Sequence, residues 1–131
     1  MPVWSRSFLL IGGVNLMLAA QLSAYGFHGV AKHITPERMK SWEWASQFHF
    51  YHSIGLLILA LLLRLAPGSV LLKISGCLMM VGLVLFCGTI YAQILGAPEA
   101  LGNVAPMGGT SFMLAWLLAG IGGWRIRNPL P

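Results

Sequence analysis

The sequence predicts an all-α integral membrane protein: a four-helix bundle with an amphipathic interfacial segment between spans 1 and 2. Hydrophobic residues make up 57% of the 131 residues and charged residues only 8%, whereas soluble domains carry about 25% charged residues. Four apolar segments are each long enough to cross a hydrocarbon layer of about 30 Å. Lipid must therefore solvate most of the surface, and we expect one transmembrane domain, residues 1–131.

The first predicted span covers residues 8–27, where the polar members are Asn15, Gln21 and Ser23. Ala19 and Ser23 are small residues four apart, a spacing that lets a neighbouring helix approach closely. The polar side chains are expected to face other helices. A pore lined by them in an oligomer is the alternative.

The start of the second helix is signalled by Thr35-Pro36-Glu37, after glycines that end the first helix near His28. Thr35 can cap the helix, Pro36 suits its first position, and Glu37 meets the positive end of the helix dipole. The helix can then run into a second span at residues 47–65. Its amphipathic part before residue 47 is expected to lie at the membrane interface.

The third and fourth spans are predicted at residues 71–95 and 107–124, separated by a connector rich in glycine and proline. Within the fourth span, small residues recur at every fourth position. They predict a face that packs closely against protein rather than lipid. This candidate helix-packing face consists of Ser111, Ala115, Ala119 and Gly123.

The charges are few and asymmetric: eight Lys and Arg against three acids, scattered at the ends of apolar segments. This arrangement suits anionic lipid headgroups, and without a basic run or zinc finger we expect no nucleic-acid partner. Cytoplasmic loops of membrane proteins are enriched in basic residues. We therefore predict a bacterial inner (plasma) membrane protein with both termini cytoplasmic, because one side carries five basic residues and no acid: Arg6, Arg64, Lys73, Arg125 and Arg127.

All four histidines lie between Ala24 and His52. Because spans 1 and 2 are antiparallel, His28 and His52 are expected at similar depth, while His49 and His52 share a helix face. The candidate polar interfacial cluster consists of His28, His49, His52, Tyr25 and Glu43.

Three interpretations of this cluster remain open. In the structural one, which we expect, His28 and His52 hydrogen-bond the end of the first helix or each other, because polar groups in lipid need partners. In the second, the cluster lines a pocket for a lipid headgroup or quinone. In the third, it binds a metal or haem iron, although no cysteine or carboxylate within the spans completes a ligand set. We predict no metal and no cofactor.

Catalysis has little support in the sequence. Ser46 and Ser53 flank the histidines, but no buried acid completes a triad and no nucleophile elbow is present. A proton-coupled transporter normally needs an ionisable group at mid-membrane, and the three acids fall in loops or at interfaces. No catalytic residue is predicted, and we expect a non-enzymatic protein.

Three sequence blocks together resemble a known family: 24–29 (AYGFHG), 35–37 (TPE) leading to 48–52 (FHFYH), and 104–109 (VAPMGG). They are similar to the small membrane proteins called domain of unknown function 423, a family related to eukaryotic transmembrane protein 256. Its pattern is Ala-Phe-Gly-Ala-His-Gly, then Tyr-Gln-x-x-His, then Thr-Pro-Ile/Leu-Gly-Gly. His28 and His52 match the family's histidines.

The departures from that pattern are Tyr25, Phe27, Ala105 in place of Thr, and His49 where the family usually has Gln. The resemblance implies a four-helix inner-membrane protein. It implies no particular activity, cofactor or catalytic residue.

The expected role is therefore a structural or accessory subunit that packs on a larger membrane complex. Its expected partners are membrane lipids and other membrane-protein subunits, or further copies of itself. The alternative is an interfacial ligand-binding or redox module in which His28, His49 and His52 hold a quinone, a lipid headgroup, a metal or a haem.

Overall fold

The computed structural model describes residues 1–127, and within them the chain forms four long helices and no strand. Each of these helices is long and apolar enough to cross a membrane. Short 3₁₀ turns at Val30–Lys32 and Glu99–Asn103 lie in the connections. The predicted fold class is confirmed. The helices are α1 (Val3–His28), α2 (Pro36–Leu65), α3 (Val70–Ile94) and α4 (Ala105–Trp124).

Side-chain caps begin the second and third helices. Thr35 Oγ1 accepts a hydrogen bond from the backbone N–H of Arg38 at 3.3 Å, with Pro36 next along the chain. Ser69 Oγ likewise accepts from the N–H of Leu72 at 3.3 Å. Because α2 is uninterrupted for 30 residues, the amphipathic segment and the second span form a single helix.

The bundle consists of two helical hairpins. Helix α1 packs along α2, and α3 packs along α4, while α2 and α3 form the main contact between the hairpins. A tight connection at residues 66–69 joins α2 to α3. These two central helices therefore carry the side chains that both hairpins share.

Three buried aromatic rings lie directly on glycines of a neighbouring helix. The indole of Trp42 covers Gly26, and a Cβ added at Gly26 would overlap it. The other two pairs are Phe8 on Gly76 and Phe112 on Gly82. Glycine at these positions brings the helices close together, which is how membrane helices gain dispersion contacts.

Serine hydroxyls tie the helices within each hairpin. Ser5 of α1 donates to the carbonyl oxygen of Ala60 in α2 at 2.6 Å. In the other hairpin Ser75 donates to Ala115 O and Ser111 donates to Leu78 O, both at 2.6 Å. Hydrogen bonds of this kind supplement packing where burial from lipid gives little hydrophobic driving force.

Helix α3 contains a π-helical segment, Leu83–Gly88. The hydroxyl of Thr89, the next residue, donates to Leu85 O at 2.6 Å. Each residue turns a helix by about 100°, so the extra residue of a π turn resets the face of everything beyond it. Here it sets the orientation of Tyr91, which faces α2.

Candidate functional site

Trp42, within the predicted interfacial segment, is the largest fully buried side chain in this part of the bundle. This side chain is 1% exposed, and its indole Nε1 donates to Leu22 O of α1 at 2.9 Å. Its ring centroid lies 4.7 Å from that of Tyr91 in α3. Trp42 therefore links α1, α2 and α3 in one place.

About two turns further along α2, a buried polar network surrounds His49, which is 5% exposed. Its Nε2 lies 3.0 Å from Asn15 Oδ1, and its Nδ1 lies 3.2 Å from the Tyr91 hydroxyl. The Tyr91 oxygen is in turn 3.3 Å from Ser46 Oγ. We call Asn15, Ser46, His49 and Tyr91 the His49 network, and its members come from three helices.

The partners of the His49 network fix which nitrogen carries the hydrogen. Asn15 donates its Nδ2 to Ile11 O at 2.9 Å, and this bond directs Oδ1 towards His49. Because Oδ1 can only accept, His49 Nε2 must donate. In the neutral imidazole Nδ1 is then an acceptor, and it faces the Tyr91 hydroxyl, whose single hydrogen also has Ser46 Oγ within reach. Both ring nitrogens therefore lie against protein groups.

His52 has a different environment from the one the sequence predicts. Its Nδ1 lies 2.7 Å from Phe48 O, and because a carbonyl only accepts, this nitrogen donates within its own helix. The ring stacks on Phe112 of α4, with centroids 3.5 Å apart and planes inclined by 13°. The link to the end of α1 that we expected from His52 is made by Trp42, whose longer side chain reaches Leu22 O.

The other members of the candidate cluster lie at the surface. His28 is exposed at the last residue of α1, with its ring centroid 5.3 Å from that of Phe27. Tyr25 is 52% exposed, and Glu43 is exposed in α2. The structure therefore does not gather the five residues into one site, because Tyr25 and His28 lie on the exposed side of α1 and Glu43 lies off the buried face of α2 that carries His49 and His52.

A small recess near the end of α1 contains Glu43. Its volume is about 230 Å³, and its polar lining is given by Ser23, Glu43, Ser46 and Gln47. Ser46 belongs both to this recess and to the His49 network. The network therefore reaches the edge of a polar, outward-facing space.

The predicted packing face of α4 meets α3 within the same chain. Ser111 and Ala115 are buried, and both take part in the reciprocal serine hydrogen bonds to α3. Ala119 packs at the edge of the core. Gly123 is partly covered, with Leu62 the nearest side chain to an added Cβ, at 3.8 Å.

The sequence reasoning missed Asn15, Ser46 and Tyr91 as partners of His49. Asn15 and His49 each lie near the middle of their helix, in two adjacent antiparallel spans. Their similar depth in the membrane was the signal that could have indicated the contact. Tyr91 gave no comparable signal, because the direction in which its side chain leaves α3 depends on the π-helical segment.

The buried polar side chains of the core are bonded to other protein groups. Among residues 1–127, every fully buried side-chain nitrogen or oxygen has a hydrogen-bond partner. In the same part of the chain, no three His, Cys, Asp or Glu side chains are grouped as metal ligands would be. The His49 network thus joins three helices through groups that are already satisfied.

The fold and this site define a small multi-pass helical membrane protein. The family model described as "Protein of unknown function (DUF423)" matches residues 22–109. The chain belongs to this family, as the resemblance indicated.

Relatives from bacteria cover nearly the whole chain. The UPF0382 membrane protein YwdK of Bacillus subtilis is 33% identical over 113 residues, 86% of this chain and 92% of its own length. A UPF0382 membrane protein of Staphylococcus epidermidis is 32% identical over 113 residues, with 86% and 91% covered. One of Staphylococcus saprophyticus is 30% identical over 123 residues, with 92% and 99% covered. No solved structure gives a significant match.

Proposed function

We propose that this protein is a non-enzymatic accessory subunit of the bacterial plasma membrane, with both termini cytoplasmic, that packs on a larger membrane complex. The outward side of α1 is the proposed docking face. The observation that carries the proposal is the shape and chemistry of this side, described next. The partner is another integral membrane protein.

Helix α1 is the least enclosed of the four. Only 17% of its most apolar stretch is buried, against 22% for the span that contains α4, 39% for α3 and 44% for α2. A shallow, open space of about 880 Å³ lies against its outward side and is lined only by Met1 and the N-terminal half of this helix; we call it the α1 groove. The groove is lined by Met1, Val3, Arg6, Ser7, Leu9, Leu10, Gly13, Val14 and Met17.

Two features of the α1 groove suit a protein partner. A Cβ added at Gly13 would meet no atom within 4 Å, so a partner helix could approach the backbone there, as in other small-residue contacts. Arg6 and Ser7 place hydrogen-bond donors beside the apolar residues. The small-residue face of α4, by contrast, is already used within the chain.

The His49 network supports a non-enzymatic role, because both ring nitrogens of His49 are bonded to protein groups. A redox or metal-binding module would need His28, His49 and His52 to converge. His28 lies at the surface while His52 stacks on Phe112. No specific contact favours that alternative over the accessory role.

Matched glycine variants test the proposal. Gly13 in α1 and Gly120 in α4 are both exposed helical glycines whose added Cβ meets nothing within 4 Å. Leucine at either position is therefore compatible with the fold and favours the helix by about 0.5–1 kcal/mol. Tagged wild type, Gly13→Leu and Gly120→Leu are purified in mild detergent, and stoichiometric co-purifying membrane proteins are quantified.

We expect a partner that is retained by wild type and Gly120→Leu and reduced about tenfold by Gly13→Leu. A chain that purifies alone from its native membrane, after crosslinking in that membrane, would contradict the accessory role. Equal loss in both variants would contradict the docking face on α1. A stoichiometric haem, metal or quinone in the purified protein would favour the redox module instead.

A further inference from the structure

At the end of the bundle where α2 begins and α3 ends, a cavity opens between these two helices. Its volume is about 480 Å³. Its lining residues on α2 and α3 all lie within about one and a half turns of the ends of these helices, where the headgroup layer is expected for helices that span a membrane. We call it the Arg38 cavity, and it is lined by Arg38, Ser41, Ile90, Gln93, Ile94 and Glu99.

The cationic side of the cavity is held in place by hydrogen bonds. Arg38 Nη2 donates to Gln93 O across the two helices at 3.0 Å. Gln93 Nε2 donates to Glu99 O at 2.9 Å, so the loop after α3 is tied to the same point. A guanidinium has five N–H donors in a planar fork that matches phosphate oxygens. Arg38 therefore presents an oriented donor group to the cavity.

The lining also includes an acidic residue. Glu99 is exposed and lines the same cavity, and its carboxylate would repel a ligand that carries only negative charge. A ligand with a phosphate and an ammonium group meets both charges with the right sign. Ser41 adds a hydroxyl, which can donate to a phosphate oxygen or accept from an ammonium N–H.

The rest of the lining is apolar and indicates a lipid. Ile90 and Ile94 lie one turn apart on α3 and are partly buried. They continue the cavity towards the apolar part of the helix, where acyl chains run. A soluble zwitterion would gain nothing from these side chains.

We propose that the Arg38 cavity binds the headgroup of a phospholipid of the phosphatidylethanolamine type. Arg38 and Ser41 hold the phosphate, and Glu99 accepts hydrogen bonds from the primary ammonium. Phosphatidylcholine lacks those N–H groups, and phosphatidylglycerol lacks the cation. This site lies away from the α1 groove, so it goes beyond the proposed function and does not depend on it.

A second arginine-lined cavity in the same molecule provides the control. It lies at the other end of the bundle, has a volume of about 430 Å³, and includes Arg125 and Ser69 but no carboxylate among its lining residues. Arg125→Gln removes an arginine from a cavity of similar size. It leaves Arg38 and Glu99 untouched.

The test measures lipid retention by native mass spectrometry of the detergent-solubilised chain. Equal amounts of phosphatidylethanolamine, phosphatidylcholine and phosphatidylglycerol with identical acyl chains compete. Wild type should retain phosphatidylethanolamine about tenfold over the other two, since a hydrogen bond to a charged group contributes on that scale. Arg38→Gln should weaken retention of all three lipids, because each of them carries the phosphate, whereas Arg125→Gln should leave both the retention and the preference unchanged.

Glu99→Gln supplies a gain of binding that misfolding cannot mimic. Without the carboxylate, Arg38 should bind phosphatidylglycerol at least as well as phosphatidylethanolamine. Soluble phosphoethanolamine should not compete at equimolar concentration, because it lacks acyl chains. No wild-type preference for phosphatidylethanolamine, an unchanged preference in Glu99→Gln, or effective competition by the soluble compound would each overturn the assignment.

Discussion

The hydroxyl of Tyr91 lies 3.2 Å from Nδ1 of His49, and this contact joins α3 to the middle of α2. His49 Nε2 reaches Asn15 of α1 at 3.0 Å. One imidazole thus holds three helices together. Because its partners are all protein groups, we interpret the His49 network as a structural brace.

The first prediction separates the contribution of the His49 hydrogen bonds to stability from the contribution of its side-chain packing. His49→Ala leaves Asn15 Oδ1 without its partner and the Tyr91 hydroxyl with Ser46 alone, and an unsatisfied buried group costs about 1–3 kcal/mol. His49→Gln keeps one donor group and one acceptor, so its loss should stay below about 1 kcal/mol. Both are measured as free energies of unfolding in mild detergent. Equal losses would mean that the hydrogen bonds contribute nothing beyond packing.

A second prediction uses the adjacent glycines at the start of α4. A Cβ at Gly108 would lie 2.5 Å from the backbone nitrogen of Phe86, whereas a Cβ at Gly109 would meet nothing within 4 Å. Gly108→Ala should therefore lower the free energy of unfolding by about 1–3 kcal/mol through overpacking. Gly109→Ala should leave it unchanged or raise it by up to about 1 kcal/mol. The reverse order would contradict the close approach of α4 to the π-helical segment of α3, in which Phe86 lies.

The third prediction concerns the small-residue face of α4. Ala115 is fully buried, and its carbonyl oxygen accepts the hydrogen bond of Ser75. Ala115→Leu should separate α3 from α4 and lower the unfolding temperature of the isolated chain in detergent. Gly120→Leu, on the exposed side of the same helix, is the control. If Ala115→Leu unfolds like wild type and disrupts only association with other proteins, the face belongs to a partner interface.

Orientation is the fourth prediction: from the excess of basic residues on one side we expect both termini in the cytoplasm. Gly68 and Ala100 are exposed in connections at opposite ends of the bundle. Gly68→Cys should react with a membrane-impermeant thiol reagent only after the cells are opened, whereas Ala100→Cys should react in intact cells with a permeable outer envelope. The wild-type chain, whose cysteines lie within α3, is the control. The opposite pattern of labelling would invert the topology.

Much of the fold could be predicted from local signals. The length of each apolar segment indicates a span, and the Thr35-Pro36 pair indicates where α2 begins, as its cap confirms. Such signals are local, because a cap or a hydrophobic run acts within a few residues. Helix content and order therefore follow from the sequence.

The site could be predicted only in part, since it depends on the rotation of each helix about its axis. His49 and His52 share the buried face of α2, but the partner of His49 in α3 is fixed by the π-helical segment at Leu83–Gly88. Nothing in its apolar sequence indicates a π turn. His28 was expected near His52 from depth alone, and its exposure reflects which side of α1 it occupies.

The structural role of the His49 network is tested most directly by a double-mutant cycle. The free energies of unfolding are measured in mild detergent for wild type, His49→Ala, Tyr91→Phe and the double variant, after the purified protein has been shown to be free of ligand. Residues that share a hydrogen bond depart from additivity by at least about 0.5 kcal/mol. We predict a coupling of about 0.5–2 kcal/mol that favours the native pair. Additive losses within about 0.3 kcal/mol, or unchanged stability in both single variants, would contradict the brace.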